Sequence, residues 1–218
     1  MNNLQFVEHC EKALKEKWGY VWGTYGQILT PKILADKVKQ YPNNVGNYEG
    51  FIRSNWMNKR ACDCVGLIKS FLWHITNGGH YRPETDFNVG MFAQHSNVKG
   101  LIKDIPMDRV GLLVWKKGHI GVYVGDGRVI EAHGTKYGVI ETPLIGPNST
   151  GWTNWGECHL IDYVGRPEPV SEWAKTAWEK ASKKIGTTGV PINDGVGAKN
   201  QVTEEQMMVF LDRLGLLD

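Results

Sequence analysis

Apolar residues recur at helical spacing in three early stretches of the chain and at strand spacing in one later stretch. Phe6, Val7, Cys10, Leu14 and Trp18 follow the 3.6-residue period with charges between them, which predicts an amphipathic helix at the amino terminus. The glycine- and aromatic-rich run from Gly19 to Thr30 has no such period and reads as a loop. Thr30 followed by Pro31 is a helix start, a cap with proline at the first helical position, and Ile33, Leu34 and Val38 carry the pattern up to Pro42. Residues 43–61 are irregular. Asp63 then caps a third helix whose apolar positions are Val65, Ile68, Phe71, Leu72 and Ile75, stopped by Asn77-Gly78-Gly79. Residues 76–108 are mixed and polar, with a short helix expected near Met91–Gln94.

The pattern changes at Val110. Val110–Trp115, His119–Val124 and Arg128–His133 are short segments rich in Val and Ile, separated by Lys-Lys-Gly and Gly-Asp-Gly, which predicts antiparallel strands joined by hairpins. A further strand is expected at Cys158–Gly165. Helices first and a meander afterwards predict an α+β domain over residues 1–165, a helix packed on an antiparallel sheet. Residues 166–170 form a proline-marked linker. In residues 171–218, Ser171 caps a helix bearing Trp173, Trp178 and Ile185, and Thr203–Gln206 has the form of a capping box ahead of Phe210 and Leu214. A helical pair this small docks or oligomerises, so a homodimer is one expectation.

Composition narrows the function classes. A chain of 218 residues buries roughly 70% of its unfolded surface, so it needs no covalent staples. Its 25 basic and 23 acidic residues are scattered, so no nucleic-acid surface is expected. No 18-residue apolar run predicts membrane insertion. Four cysteines, at positions 10, 62, 64 and 158, are too few and too dispersed for a secreted disulfide scaffold. The amino terminus lacks the pattern of a secretory signal, so synthesis in the cytoplasm is expected.

The chemistry centres on Cys64. A cysteine in the first turn of a helix meets unpaired backbone N–H groups and the positive end of the helix dipole, which favour thiolate and can receive an oxyanion. A histidine, His119, opens a strand downstream, and Glu131 and His133 follow on the next. Cys62 and Cys64 as a zinc clip fall short of the usual ligand spacing, so no metal or other cofactor is expected. Cys62, Cys10 and Cys158 read as buried small hydrophobes.

"GYVWG", "DCVG" and "GHIGVYVGDGRVIEA", in that order, resemble the NlpC/p60 family of papain-like cysteine peptidases, which cleave the stem peptide of bacterial peptidoglycan. The resemblance spans roughly residues 10–165. It implies the papain-like, NlpC-type fold, with Cys64 as nucleophile, His119 as general base and Glu131 as the group orienting the histidine, His133 standing in reserve. Tyr20, Asp63 and Trp22 would lie on the substrate or oxyanion side, Asp63 also as the helix cap and Trp22 as a groove wall. Two departures stand out: the family usually has serine where this chain has Val65, and the orienting position is more often histidine, asparagine or glutamine. The function implied is an endolysin-like peptidoglycan hydrolase that acts on the wall after release from the cytoplasm. An N-acetylmuramoyl-L-alanine amidase uses the same residues, and a wall-binding module with a decayed site is the non-enzyme alternative. Residues 171–218 are also similar to one worn copy of an S-layer-homology-like repeat, which would contact a cell-wall polymer.

The roles make a demand on register. If Asp126-Gly127 were a plain two-residue turn, facing positions would sum to 253 and Glu131 would point away from His119. A longer loop or a bulge puts Glu131 and His133 on the His119 face.

Overall fold

Local capping starts most of the helices where the polar residues place them. Asn2 accepts the Gln5 N–H while the Gln5 side chain takes the Asn2 N–H, so α1 (Asn3–Lys15) begins on a capping box. The computed structural model describes residues 1–165 together with Met208, Leu211 and Asp212. β1 (Tyr25–Ile28) lies inside the stretch expected to be loop. Thr30 caps α2 (Pro31–Gln40) as expected, and the irregular stretch after it holds α3 (Glu49–Asn55) and β2 (Arg60–Cys62). Asp63 caps α4 (Cys64–Leu72), and Asn88 caps α5 (Val89–His95).

The remaining strands are β3 (Lys99–Leu101), β4 (Leu112–Lys116), β5 (His119–Gly125), β6 (Arg128–Gly134), β7 (Gly138–Pro143) and β8 (Asn154–Gly156). They form a six-stranded antiparallel sheet in the order β3-β8-β4-β5-β6-β7, and β1 pairs with β2 separately. The three expected strands are present; β3, β7 and β8 extend the sheet beyond them. The strand expected at Cys158–Gly165 is not one: this segment turns. The Tyr163 hydroxyl there accepts the Cys158 N–H and donates to the Gly111 carbonyl, which ties the turn down without a ladder.

Period-two alternation gives the sheet two apolar faces. Leu113, Ile120, Val122, Ile130 and Ala132 pack against Phe6 and Cys10 of α1 and Leu67, Ile68 and Phe71 of α4. On the opposite face Leu112, Val114, Tyr123 and Val129 meet Leu144, Trp152 and Trp155. Each fully buried side chain of this size contributes about 1.5–3 kcal/mol of transfer free energy, so both faces hold the sheet. The architecture is α+β, a helix packed on an antiparallel sheet, as the pattern predicts.

The chain divides into two compact units, Met1–Val164 and Gly165–Asp218. The linker expected at 166–170 and the helical pair expected at 171–218 lie outside the described residues, save that Met208, Leu211 and Asp212 are helical. Among the described residues no helix is long and apolar enough to cross a membrane.

Candidate active site

The site begins at the junction of β2 and α4. Asp63 Oδ1 accepts the Gly66 N–H at 2.7 Å, which caps the helix, and its Oδ2 accepts the Gly23 N–H at 2.8 Å. One carboxylate thus fastens the Gly19–Thr24 loop to the first turn of α4, and the Asp63 N–H bonds the Thr24 carbonyl. Asp63 lines a groove beside Cys64, and each of its oxygens accepts a backbone N–H, so it serves as the helix cap. Gly66 has to be glycine because a Cβ there would run into the Thr24 carbonyl oxygen. The aspartate and the glycine on either side of Cys64-Val65 therefore serve one junction.

Cys64 is the first residue of α4, as expected, but its thiol is not acidified there. Burial and the neighbouring Asp63 carboxylate push it up to about 12, and hydrogen bonds from the Val65, Ile120 and Cys64 N–H groups pull only partly the other way. The backbone N–H groups expected from the sequence do act on the sulfur and are outweighed by desolvation. The Ile120 N–H brings the sulfur to the strand that His119 opens. Among the described residues no hydrogen bond joins Cys64 to His119.

His119, Glu131 and His133 come together on one face of the sheet. The turn at Asp126-Gly127 is two residues long, both with positive φ, as a hairpin of matching twist requires. Gly125 faces Arg128, a sum of 253, but Tyr123 faces Val129 and Val122 faces Ile130, each a sum of 252. A bulge at Val124 supplies the shift, and it turns Glu131 and His133 to the His119 side. His119 Nε2 lies 2.5 Å from Glu131 Oε2, and His133 Nδ1 lies 2.9 Å from the same oxygen.

Glu131 is fully buried and its other oxygen is also taken: the Thr142 hydroxyl donates to Oε1 at 2.6 Å, and the Thr150 hydroxyl donates to it as well. Burial by itself would raise the carboxyl pKa, but the hydrogen bonds from His119, Thr142, Thr150 and His133 outweigh it and bring it down to about 2. An ionised carboxylate only accepts, so both imidazoles donate to it. His119 thus carries its proton on Nε2, which leaves the Nδ1 lone pair for a second partner when the ring is neutral. Trp152 covers the ring, stacked at 5.5 Å and 13°. It fits there because Gly121 has no side chain: a Cβ at 121 would lie 3.0 Å from the indole and 2.8 Å from Val129. Thr142, Thr150 and Trp152 had no signal in the sequence, since each arrives from a strand or loop later than the recognisable motif.

Tyr20 is buried beside Cys64, Asp63 and Cys62, and burial, then those neighbours, hold its phenol well above the ordinary range, so it is a neutral donor. Trp22 is 39% exposed and forms a wall between two cavities. One, of about 600 Å³, runs past Cys64, Val65, Asn88 and Trp115. The other, of about 510 Å³, is lined by Tyr20, Tyr48, Lys136 and Tyr137. Cys62, Cys10 and Cys158 are buried and unpaired. Among the described residues the donor cluster able to hold a metal ion is His119, Glu131 and His133, with their ligand atoms within 4.8 Å of one another; Cys62 and Cys64 are not part of it.

No family model matches the chain, and no curated protein matches it. Among solved structures it is similar to the P60 domain of an antigen from M. avium subspecies paratuberculosis, at 21% identity over 74% of this chain and 98% of that one, with a TM-score of 0.39. It is also similar to the peptidoglycan hydrolase RipB from Mycobacterium tuberculosis, at 19% identity over 74% of this chain and 68% of that one, with a TM-score of 0.39.

Proposed function

We propose that this chain is a peptidoglycan hydrolase that cleaves an amide bond of the cell-wall stem peptide with Cys64 as nucleophile. The observation that carries this reading is the 2.5 Å contact between His119 Nε2 and the buried Glu131 carboxylate, which needs the Val124 bulge to exist. A carboxylate held well below its ordinary range accepts the Nε2 proton of His119 and so orients the ring, which is what a general base for a thiol requires. The choice of peptidoglycan as substrate rests on the three motifs.

A thiol held near 12 stays protonated until substrate arrives, so attack and proton loss are coupled. His119 Nδ1 takes the proton from Cys64 Sγ as the sulfur bonds to the amide carbonyl, closing a distance that is longer in the free enzyme. The Cys64 N–H, at the helix start, and the Tyr20 hydroxyl receive the oxyanion. The imidazolium then gives the same proton to the leaving amine as the C–N bond breaks. Water, losing its proton to His119, cleaves the thioester and frees Cys64.

The same residues serve the bond between muramic acid and L-alanine. The second cavity favours that amidase reading, because Trp22, Tyr48 and Tyr137 present exposed aromatic faces next to Tyr20, and such faces stack on sugar rings. Mass spectrometry of fragments released from purified peptidoglycan decides between the two. The endolysin-type role is tested by adding the purified chain to bacterial cells from outside: falling turbidity supports it and intact cells refute it. Deleting residues 169–218 and measuring sedimentation with cell walls separates wall contact by the tail from dimerisation or packing.

A further inference from the structure

We infer that His119, Glu131 and His133 bind one borderline divalent metal ion of the zinc class, and that this ion and the thiol chemistry exclude one another. The second half rests on the function proposed above; the first does not.

Three features build the site. Both imidazoles aim a ring nitrogen at one carboxylate oxygen, Oε2, at 2.5 and 2.9 Å, and all three donor atoms lie within 4.8 Å. The rings are perpendicular, at 88° with centroids 6.0 Å apart, so their nitrogens converge from two directions. Glu131 Oε1 is held by Thr142 and Thr150, the kind of outer support that orients a carboxylate ligand and leaves its other oxygen for the ion. Two histidines and one carboxylate with open positions suit zinc and similar divalent ions, and the side chains of His133 and His119, 33% and 16% exposed, leave an approach from solvent. Ligand bonds of about 2.0–2.2 Å in a tetrahedron separate donor atoms by about 3.3 Å, so the two short contacts open by less than an ångström to admit the ion.

The exclusion follows from the tautomer. A metal on His119 Nε2 takes the lone pair that replaces the N–H now given to Glu131, and the ring proton moves to Nδ1. That is the nitrogen that has to accept the Cys64 proton. With the ion in place His119 is no longer a base.

The test is calorimetric titration of zinc chloride into the full chain and into Cys64→Ala, in thiol-free buffer. One ion per chain in both, with affinity lowered at least about tenfold by His133→Ala and roughly tenfold or more by Thr150→Val, is the expected result. Cobalt(II) spectra check the ligands without any variant: visible bands with no thiolate charge-transfer band are expected. Absence of binding, binding lost in Cys64→Ala, binding unchanged in His133→Ala, or a thiolate band would each overturn the site. Zinc that binds at these residues without slowing peptidoglycan hydrolysis would overturn the exclusion alone, and a chain with no hydrolytic activity that still binds zinc would refute the proposed function and leave the metal site standing.

Discussion

Glu131 lies on the same face of the sheet as His119, 2.5 Å from its Nε2, because one residue, Val124, bulges out of the β5-β6 ladder. Without the bulge the two-residue turn at Asp126-Gly127 would send the carboxylate to the other face, into the packing of α1 and α4.

Replacing Glu131 by Gln keeps the shape and removes the charge. Hydrolysis is expected to fall by about 10²–10⁴-fold, the span that general acid–base catalysis contributes, while far-UV dichroism is unchanged. Activity within a factor of two of the parent would detach Glu131 from the mechanism.

The same carboxylate makes stability depend on acid. Its folded pKa of about 2 lies below the ordinary 4.5, so its contribution is full above 4.5 and is lost as pH falls toward 2. The shift corresponds to something on the order of 3 kcal/mol. Thermal unfolding of the parent should therefore weaken more steeply between pH 4.5 and 2 than that of Glu131→Gln; parallel curves would contradict the network.

Cys64 should rest as a neutral thiol. Its alkylation by iodoacetamide is expected to keep rising with pH up to at least about 10, close to tenfold per unit, since thiolate is the reacting form. A plateau near neutral pH would show a stable thiolate and restore the acidified cysteine that the helix start suggested.

Gly66→Ala is expected to destabilise the chain by about 1–3 kcal/mol, because the added methyl strikes the Thr24 carbonyl and the junction has to shift. Activity should fall with it, since that junction places Cys64. Differential scanning calorimetry alongside the hydrolysis assay reads both; a neutral substitution would mean that the loop and helix are not held by this contact.

Features set by local rules were legible in the chain itself. Thr30 and Asp63 announce their helices through capping, and the Val- and Ile-rich segments around Lys116-Lys117-Gly118 and Asp126-Gly127 announce their hairpins. The meeting of His119 with Glu131 was legible through the motif that holds both, and the odd register through the demand that the two meet. Features set by distant contacts were not. β8 is three residues long and is a strand only because β3 and β4 flank it. Thr142 and Thr150 reach Glu131 from beyond the motif, and the thiol pKa depends on burial that no local pattern encodes. Cys158–Gly165 carries apolar residues at strand-like spacing, yet Tyr163 fixes it as a turn through its hydroxyl.

The measurement that bears most directly on the central claim is mass spectrometry of the soluble products from purified peptidoglycan, digested in parallel by the parent chain and by Cys64→Ala. Fragments with one newly freed amine and carboxyl at a single amide, released by the parent and absent with Cys64→Ala while that variant still melts cooperatively, are predicted. No release by the parent, or equal release by both, would contradict it.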